Sequence, residues 1–304
     1  MTLTELRYIV ALSQTRHFRR AAEKCFVTQP TLSLAVKKLE DELGVALFER
    51  KKNDVMITVA GERVVDQARQ VLAEAAKIIE LAEAVRDPLS GPLRLGVIPT
   101  VGPYLLPDLV PILRRLAPAM PLVIEENLTE NLAHLLRGGE IDVAIIALPF
   151  TLPGVNVRAL YEEQFRVVVP PTHPWSRKRL VKAGELAGQS LLLLNAGNCF
   201  RNQVLDACSG NGGEGMEGKA GSSLETIRNM VASGLGISVL PCAAVSQPHQ
   251  NKSLKVLDFD RPVPSRRIAL AVRETFSRPE ASDIVLAAIN QMKTPCFRLL
   301  GGHA

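Results

Sequence analysis

Two cysteines nine positions apart are the residues of this chain whose type and spacing could support redox chemistry. Cys199 and Cys208 lie in the stretch NCFRNQVLDAC, in which Phe200, Val204 and Cys208 recur at helical spacing. A helix rises about 1.5 Å per residue, so it would hold the two sulfurs roughly 13 Å apart. A disulfide needs Cα atoms within about 7 Å of each other. The two cysteines are therefore either unrelated or bridged only when this segment refolds.

The first of these cysteines has the surroundings of a reactive thiol. The strand pattern SLLLL and a short Asn/Gly loop precede Cys199 and place it at a helix start. Backbone N–H groups at a helix start favour a negative charge, and Arg201 adds positive charge nearby. Peroxide converts such a thiolate to a sulfenic acid, which a second thiol can capture. A packing role for both cysteines in the core is the competing interpretation.

Cys208 is the candidate for the second thiol. It shares the apolar face of the predicted helix with Phe200 and Val204, so an intact helix would keep it partly buried. The stretch that follows, SGNGGEGMEGKAGS, has six glycines in fourteen residues. A segment this flexible supplies the slack needed to bring Cys208 towards Cys199.

The composition predicts a multidomain protein of the cytoplasm. Its 304 residues are 47% hydrophobic and 22% charged, which suits two or three domains with substantial cores. No signal peptide and no apolar run long enough to cross a membrane are evident, so no membrane contact is expected. In a reducing cytosol the default for five cysteines is free thiols, and Cys25, Cys242 and Cys296 are interpreted as small apolar residues. No Cys/His cluster has zinc-ligand spacing, so neither a metal nor another cofactor is predicted.

Positive charge is concentrated near the amino terminus. Between Arg16 and Lys52 there are nine Lys/Arg and five Asp/Glu, so about four of the five net positive charges lie there. The same region predicts two helices joined by a tight turn. The apolar face of the first helix is expected to comprise Phe18, Ala21, Ala22, Cys25 and Phe26.

The second helix has the polar start of a DNA-recognition helix. Thr28 is its predicted N-cap and Gly44 its C-cap. Short polar side chains at a helix start, followed by a cation, suit insertion into the major groove with phosphate contact. The stretch LFERKKNDVMITVAGE then predicts a β-hairpin wing. The candidate DNA-contacting residues are Gln29, Pro30, Thr31, Ser33 and Lys37 on the helix, and Arg50, Lys51 and Thr58 on the wing.

The segment AAEKCFVTQPTLSLAVKKLEDELGVALFER resembles the DNA-binding signature of the LysR-type transcriptional regulators. The resemblance covers the whole winged helix-turn-helix, and the rest of the chain has the family's length and order. It implies a regulator, not an enzyme, that binds double-stranded promoter DNA. It also implies a homo-oligomer, a dimer of dimers, with RNA polymerase as a further partner. Without the resemblance, an ordinary helical hairpin with a solvated polar face would remain open.

A long helix without internal Gly or Pro is predicted from Gly61 to Asp87. Its small apolar residues are spaced alternately four and three apart, which is a heptad seam. A seam this narrow favours pairing with a second subunit over packing on its own domain, and the resemblance implies the same. The seam comprises Val64, Ala68, Val71, Ala75 and Ile78, continued by Ala82 and Val85.

After Pro92, strand and helix patterns alternate, which predicts parallel sheets covered by helices. The expected fold class is α/β multidomain: a winged helix-turn-helix, a long linker helix and two α/β subdomains. The resemblance implies subdomains built like a periplasmic binding protein, with the chain crossing between them near Tyr161 and Arg266. The predicted boundaries are 1–60 for the DNA-binding domain, 61–90 for the linker and dimerisation helix, 91–161 for the first part of regulatory subdomain I, 162–266 for subdomain II with the redox cysteines, and 267–304 for the return to subdomain I.

The stretch GNCFRNQVLDAC, followed by SSLETIRNMVASGLGISVLP, resembles the peroxide-sensing OxyR branch of the LysR-type regulators. The resemblance implies that hydrogen peroxide oxidises Cys199 first, that Cys208 completes a disulfide, and that oxidative-stress genes are activated or repressed in response. Thr100 and Thr129 each follow a predicted strand, where a hydroxyl either points into the cleft or caps a helix. The peroxide pocket implied by the resemblance comprises Thr100, Thr129, Asn198, Gln203 and Arg266.

Two residues depart from the pattern of this branch. Asn198 stands where many members have a histidine, and Asn202 stands where many have an aspartate. An amide can orient peroxide by hydrogen bonds but cannot exchange protons, so the rate and proton path should differ from those of relatives.

Two other functions are compatible with these patterns. One is a LysR-type regulator that responds to a small organic effector in the inter-subdomain cleft. The other is a thiol peroxidase, which is disfavoured because the first 87 or so residues serve DNA binding and dimerisation.

Overall fold

The computed structural model describes residues 1–51, 54–84, 87–208, 219–246, 249 and 253–300. Lys52 and Val85, and the glycine-rich stretch at 209–218, lie outside the described residues. The same holds for the side chains of Arg50, Lys51, Ala82 and Cys208. The chain divides into two units, one of residues 1–87 with 137–140 and one of residues 88–136 with 141–304.

The amino-terminal unit is a helical domain with a two-stranded wing. Its strands β1 and β2 pair antiparallel, Phe48 opposite Ile57. Leu12, Leu32 and Leu39 are fully buried in its core, one from α1 and two from α3. The elements are α1 (Leu3–Thr15), α2 (Phe18–Lys24), α3 (Gln29–Leu43), β1 (Phe48–Lys51), β2 (Asp54–Ile57) and α4 (Val59–Ala84).

The predicted caps of α3 are confirmed. The Thr28 side chain accepts a hydrogen bond from the Thr31 backbone N–H, which satisfies one of the free donors of the first turn. At the other end Gly44 adopts a left-handed conformation with φ of 69°, which glycine adopts without steric cost. These two residues fix where the helix starts and stops.

The expectation that Phe26 lies on the inner face of the first helix is wrong. Helix α2 ends at Lys24 and Cys25 is its C-cap. Phe26 then adopts a left-handed backbone, φ 56°, which turns its ring away from the core and leaves it 95% exposed. Val27 packs on the core in its place.

Helix α4 begins two residues before the predicted helix and is described to Ala84. Its first part belongs to the domain core, where Val65 and Ala68 are buried and Val64 packs against them. Farther along, Val71 is 38% and Ile78 70% exposed. The predicted seam thus starts within the domain and continues along a face that this domain leaves uncovered.

The second unit is built on a mixed sheet, which has 11 strands among the described residues. Its path runs β4-β3-β5-β12-β6-β10-β8-β9, with β11 and β13 on β6 and β7 on β11. The strands are β3 (Leu93–Val97), β4 (Leu122–Glu126), β5 (Val143–Ala147), β6 (Val155–Val169), β7 (Leu180–Val181), β8 (Leu191–Leu194), β9 (Lys219–Gly221), β10 (Ile237–Pro241), β11 (Lys255–Phe259), β12 (Ser265–Arg273) and β13 (Phe297–Leu299). The helices are α5 (Gly102–Leu116), α6 (Thr129–Arg137), α7 (Cys199–Cys208), α8 (Leu224–Ala232) and α9 (Pro279–Asn290).

The expectation of parallel sheets holds only towards the ends of this path. There β3 pairs parallel with β4 and β5, and β8 with β9 and β10. In the middle, β6 and β12 pair antiparallel with each other and with their neighbours. The reason is that the chain passes once in each direction between two cores, so the two connecting strands run oppositely.

Two hydrophobic cores flank these connecting strands. The first is built from β3, β5, α5 and α9, and the second from β8, β10, α8 and the end of β6. We refer to the parts around them as the first and second subdomains. Tyr161 of β6 and Ile268 of β12 face each other where the chain passes between them.

None of the helices within the described ranges combines the length and apolar character that crossing a bilayer requires.

Gly61 provides a test of the packing beneath the wing. A Cβ atom there would lie 2.1 Å from the Leu47 carbonyl oxygen and 2.9 Å from the Ile57 side chain. We expect Gly61→Ala to destabilise the amino-terminal unit by about 2 kcal/mol, because backbone must move to relieve the overlap. Native-state hydrogen exchange of the α1 and α3 amides measures this.

The matched control is Gly184→Ala, since a Cβ atom at Gly184 meets nothing within 4 Å. It should change local opening free energies by less than about 0.5 kcal/mol. Similar protection of α1 and α3 in both variants would contradict the tight contact between Gly61 and Leu47.

Candidate functional site

Helix α7 carries the two cysteines at its opposite ends. Cys199 is its first residue and Cys208 its last, so the predicted helical segment is confirmed. At about 1.5 Å per residue their Cα atoms are roughly 13 Å apart, beyond the reach of a disulfide. A bond between the two sulfurs therefore requires α7 to unwind at least in part.

One face of α7 is anchored in the second subdomain. Phe200 and Val204 are 2% and 1% exposed and belong to its core. The Phe200 ring meets the Phe165 ring edge to face, with centroids 5.1 Å apart. The β8 strand leads into this face, because the fully buried stretch Leu191–Leu194 ends a short loop before α7.

The other face of α7 is turned to the first subdomain. Cys199 is half-buried and packs against the core of that subdomain. The Thr129 hydroxyl, at the start of α6, donates a hydrogen bond to the Cys199 sulfur at 3.7 Å. One turn further, Gln203 Nε2 donates to the Leu148 carbonyl oxygen at 2.9 Å. Helix α7 is thus held from both sides.

Gln203 has spare hydrogen-bonding capacity beside Cys199. Its Oε1 atom is buried and has no hydrogen-bond partner within the described parts of the chain. Because Gln203 and Cys199 are four residues apart on one helix, they lie on the same face. A ligand that donates a hydrogen bond to this acceptor removes the free-energy cost of burying it without a partner.

A buried ion pair links Arg266 to this region. Arg266 and Glu163 are 3% and 1% exposed. Arg266 donates through Nε and Nη2 to Glu163 Oε2, at 2.9 and 2.7 Å. It also donates to the Thr100 hydroxyl and the Thr100 carbonyl oxygen, both at 2.9 Å. Its guanidinium carbon lies 5.1 Å from the centroid of the Phe200 ring.

Of the five residues of the predicted pocket, two lie beside Cys199, two contact each other, and the Asn198 side chain bonds within its own loop. Thr129 contacts Cys199 itself, and Gln203 lies beside it on α7. Thr100 and Arg266 contact each other. Asn198 Nδ2 donates instead to the Asn195 carbonyl oxygen, at 3.3 Å within its own loop.

Two charged side chains near this site have partners that the sequence does not indicate. Arg201, expected to add charge beside Cys199, donates to the Leu194 carbonyl oxygen at 3.0 Å. Glu163, the partner of Arg266, was not among the predicted site residues. Its only signal is an acidic side chain at an inward position of a long strand, and its partner lies 103 residues away.

A cleft of about 990 Å³ also opens between the two subdomains. It is lined by backbone and side chains of the loop after β5, the end of α7 and the turn before β12. Gln203 and Arg266 reach it. Lys182, Arg261 and Arg267 bring further positive charge to its walls, and Asp206 and Asp260 bring negative charge.

The expectation of free, small apolar residues at Cys242 and Cys296 is wrong. The two sulfurs are joined in a disulfide, with Cα atoms 5.4 Å apart. The positions are 54 residues apart in sequence, so their spacing carried no signal. They meet because β13 returns to β6 beside the end of β10. Cys25 and Cys199 are free.

The start of α3 presents the predicted DNA-contacting side chains to solvent. Gln29, Pro30, Thr31 and Lys37 are exposed, and Ser33 is half-buried. The Thr31 hydroxyl is 2.8 Å from the Thr28 hydroxyl, so the cap also orients it.

The wing residue Thr58 is already occupied in capping. Its hydroxyl donates to the Ala46 carbonyl oxygen and accepts from the Gly61 N–H at the start of α4. Conversely, two apolar side chains that were not predicted as contacts are exposed near α3: Phe26 and, at 72%, Leu34. Apolar side chains of this kind can contact thymine methyl groups.

Comparison with known families and proteins assigns both units. Residues 3–62 match the bacterial regulatory helix-turn-helix protein, lysR family, and residues 86–293 match the LysR substrate binding domain. The DNA-binding transcriptional dual regulator OxyR of Escherichia coli K12 is 41% identical over 273 residues, 90% of each chain. The chain belongs to the OxyR branch of the LysR family.

Solved OxyR structures have the same fold. A full-length Pseudomonas aeruginosa OxyR with a cysteine-to-aspartate substitution is 50% identical, covers 96% of this chain and 99% of its own, and superposes with a TM-score of 0.77. A Corynebacterium glutamicum OxyR cysteine-to-serine mutant with bound hydrogen peroxide is 34% identical, with coverage of 95% and 92% and a TM-score of 0.64. The predicted multidomain fold, a winged helix-turn-helix followed by a LysR-type regulatory domain, is thereby confirmed.

The buried ion pair in this OxyR-branch chain can be tested through stability. We expect Glu163→Ala to destabilise the regulatory domain by about 3–5 kcal/mol, because it leaves the Arg266 charge buried without its partner. Glu162→Ala is the matched control on the same strand. Glu162 is part-exposed, pairs with exposed Arg298 and accepts a hydrogen bond from Ser265, so its loss should cost clearly less, about 1–2 kcal/mol. Urea unfolding of the full chain measures the stability of both variants, and hydrogen exchange of the β6 and β12 amides shows whether the loss lies in the regulatory domain.

A double variant removes the alternative that Glu163 matters only through its volume. Glu163→Ala combined with Arg266→Met should recover part of the loss, because no buried charge remains. A double variant less stable than Glu163→Ala alone would show that the charge balance is not the cause.

Proposed function

We propose that this chain is a hydrogen peroxide-sensing, DNA-binding transcriptional regulator, switched by a reversible disulfide between Cys199 and Cys208. The observation that carries the proposal is the placement of Cys199. It is the first residue of a helix held between two subdomains, with the Thr129 hydroxyl on its sulfur. Relatives named "Hydrogen peroxide-inducible genes activator", one of them 42% identical over 90% of both chains, support the same function.

The chemistry needs one peroxide and two thiols. The Cys199 sulfur attacks one peroxide oxygen, the O–O bond breaks, and water leaves, so that a sulfenic acid forms. The Cys208 sulfur then attacks the Cys199 sulfur, a second water leaves, and the disulfide forms. Thr129 can donate a hydrogen bond to the reacting sulfur or to peroxide, and Gln203 Oε1 can accept a hydrogen bond from peroxide. Both side chains position the reactants, as does the loop held by Asn198.

Arg266 supports this site without bringing a net charge to it. Its guanidinium is neutralised by Glu163 and holds Thr100 through two hydrogen bonds. Hydrogen peroxide is uncharged, so a pocket that offers hydrogen bonds without net charge suits it. We propose that Thr100 and Arg266 complete the peroxide pocket with Thr129, Asn198 and Gln203.

The disulfide and the intact helix exclude each other. To bring Cys208 to Cys199, α7 must unwind at least in part, which disturbs the packing of Phe200 and Val204, whose burial contributes roughly 1.5–3 kcal/mol each. It must also give up contacts to the first subdomain, such as that between Gln203 and Leu148. The oxidised form therefore needs a different arrangement of the two subdomains, which is a two-state switch.

On the DNA side, we propose that α3 reads promoter DNA in the major groove and that β1 and β2 form the wing. The proposed contacts are Gln29, Pro30, Thr31, Ser33 and Lys37 with Arg50, Lys51 and Thr58. The exposure of Val71 and Ile78 supports α4 as the dimerisation helix. We further propose a dimer of dimers that acts in the cytoplasm and contacts RNA polymerase. The domain boundaries at residues 60, 90, 161 and 266 belong to the same proposal.

The cleft supports a second candidate signal, a small organic anion. Its volume and the cations on its walls, Lys182, Arg261 and Arg267, would suit a carboxylate, although Asp206 and Asp260 on the same walls would repel one. The relatives named for peroxide weigh against it.

The sensor can be tested by mass spectrometry after a brief, low dose of peroxide. We expect a Cys199–Cys208 bridge in the parent chain, a stable Cys199 sulfenic acid in Cys208→Ser, and no oxidation of this pair in Cys199→Ser. Promoter footprints should shift with peroxide in the parent chain alone. Cys25→Ser removes the other free thiol and is the matched control that should respond like the parent.

Each alternative function has its own outcome in this experiment. An unchanged footprint response in Cys199→Ser, together with a shift caused by a carboxylate metabolite, would favour the organic effector. Peroxide consumption over many turnovers per chain, without a change in DNA binding, would favour a thiol peroxidase.

The DNA-reading face can be tested with two neighbouring lysines and Gln29. Lys37→Ala should weaken binding to all sequences and reduce the salt slope by about one, because a phosphate contact is lost. Lys38→Ala is the matched control, since Lys38 is also exposed but its ammonium group is paired with Glu5 at 3.2 Å. Gln29→Ala should relax sequence preference at one base pair by about 1–3 kcal/mol.

Fluorescence anisotropy with specific and scrambled duplexes over a range of salt measures all three. Equal losses of DNA affinity for Lys37→Ala and Lys38→Ala, or an unchanged sequence preference in Gln29→Ala, would show that another face of α3 reads the DNA.

A further inference from the structure

A second pair of cysteines lies at the junction of the two subdomains. Cys242 starts the short turn after β10, and Cys296 immediately precedes β13. Both are nearly fully buried, at 4% and 5% exposure. Their Cα separation of 5.4 Å lies in the middle of the range for disulfides.

The bond joins the two subdomains. Cys242 follows β10, whose Val239 and Leu240 belong to the second core. Cys296 follows α9, whose Val285 and Ile289 belong to the first. Between them passes β6, which pairs with β10 along one stretch and with β13 along another. The disulfide therefore closes the carboxy-terminal segment over the strand that connects the subdomains.

The residue next to each cysteine holds a side chain of β6. The Ala243 N–H, adjacent to Cys242, donates to Glu163 Oε1 at 2.9 Å. The Phe297 ring, adjacent to Cys296, stacks on Tyr161 with centroids 4.0 Å apart. Glu163 in turn binds Arg266, and Arg266 binds Thr100. A continuous chain of contacts thus runs from the second cysteine pair to the proposed peroxide pocket.

The surroundings of the pair allow reversible chemistry. The Ser246 hydroxyl lies 3.0 Å from the Cys296 sulfur and 3.5 Å from the Cys242 sulfur, so it can donate to whichever sulfur carries the negative charge during exchange. Cys296 is followed directly by β13, a strand of three residues whose Arg298 and Leu299 are exposed. Short edge strands of this kind open more readily than core strands.

We propose that Cys242 and Cys296 are a second redox site, which exchanges with low-molecular-weight thiols and sets the rate at which Cys199 reacts. In the exchange, the S–S bond of a small disulfide such as oxidised glutathione breaks and the Cys242–Cys296 bond forms. Two electrons pass from the cysteine sulfurs to the small disulfide, and the two protons leave on the two thiols released. The bridged form holds Ala243 against Glu163, and the open form releases it.

The two thiol pairs would then report different properties of the cell. Cys199 and Cys208 would answer to peroxide, whereas Cys242 and Cys296 would follow the thiol pool. In the bridged state Glu163 is fixed, Arg266 is held on Thr100, and the peroxide pocket is pre-formed. In the open state the pocket loses one of the hydrogen bonds that order it. This second part rests on the proposed peroxide reaction of Cys199, and the redox site itself does not.

A glutathione titration tests the redox site. The full chain with Cys199→Ser and Cys208→Ser is equilibrated with mixtures of reduced and oxidised glutathione, quenched with acid, alkylated and analysed by mass spectrometry. We expect the bridged fraction to fall continuously as the share of reduced glutathione rises. A pair that stays bridged in every mixture, or that stays open in every mixture, would overturn the proposal.

The coupling is tested without a substitution at either cysteine of the second pair. Cys208→Ser chains are prepared with this pair bridged or open, as verified by mass, and the initial rate of Cys199 sulfenic acid formation is measured. We expect a rate about fivefold lower in the open state, the factor associated with one lost hydrogen bond. Equal rates would overturn the coupling. A Cys199 that is unreactive in both states would overturn both the coupling and the proposed function, and the titration would still decide the redox site.

Discussion

The proposed switch depends on one steric constraint, which is that a ten-residue helix keeps its two terminal cysteines apart. Helix α7 satisfies this constraint by being anchored on both sides. Phe200 and Val204 fix it in the second core, and Thr129 and Gln203 hold its other face towards the first subdomain. Oxidation of Cys199 therefore affects both subdomains, because unwinding of α7 breaks its contacts with each of them.

The electrostatics around α7 are consistent with a small neutral signal. Arg266 is deeply buried, but Glu163 and Thr100 occupy its donors. A carboxylate ligand would have to displace Glu163 or bind at the basic wall of the cleft instead. Burial also raises the pKa of the Tyr161 hydroxyl, with a further contribution from the Glu163 carboxylate, so this side chain stays neutral beside the ion pair. The environment favours hydrogen bonding over charge recognition.

Local features of the fold could be predicted from the sequence, and long-range ones could not. The caps of α3 at Thr28 and Gly44 and the start of α7 at Cys199 follow from residue preferences within a few positions. The ion pair of Glu163 with Arg266 joins residues 103 positions apart, and the disulfide joins residues 54 apart. Both depend on the antiparallel pairing of β6 with β12 and β13, which strand patterns alone do not specify.

Site residues were predictable to the extent that they lie at the ends of elements. Thr129 opens α6 and Cys199 opens α7, and both positions follow from strand and helix patterns. Phe26 was misplaced because its left-handed backbone, φ 56°, is rare for a bulky residue and periodicity does not indicate it. Arg201 and Asn198 both follow from their positions beside Cys199, but periodicity does not indicate their partners, which are the Leu194 carbonyl at the end of β8 and the Asn195 carbonyl in the loop before α7.

The anchoring of α7 by two buried apolar side chains has a consequence for how the signal ends. Once a reductant cleaves the bridge, the hydrophobic effect favours the packing of Phe200 and Val204 in the second core, and with it the helical form of α7. The oxidised state of the regulator would then last as long as the proposed bond between Cys199 and Cys208. The duration of a transcriptional response would accordingly be governed by the supply of reducing equivalents.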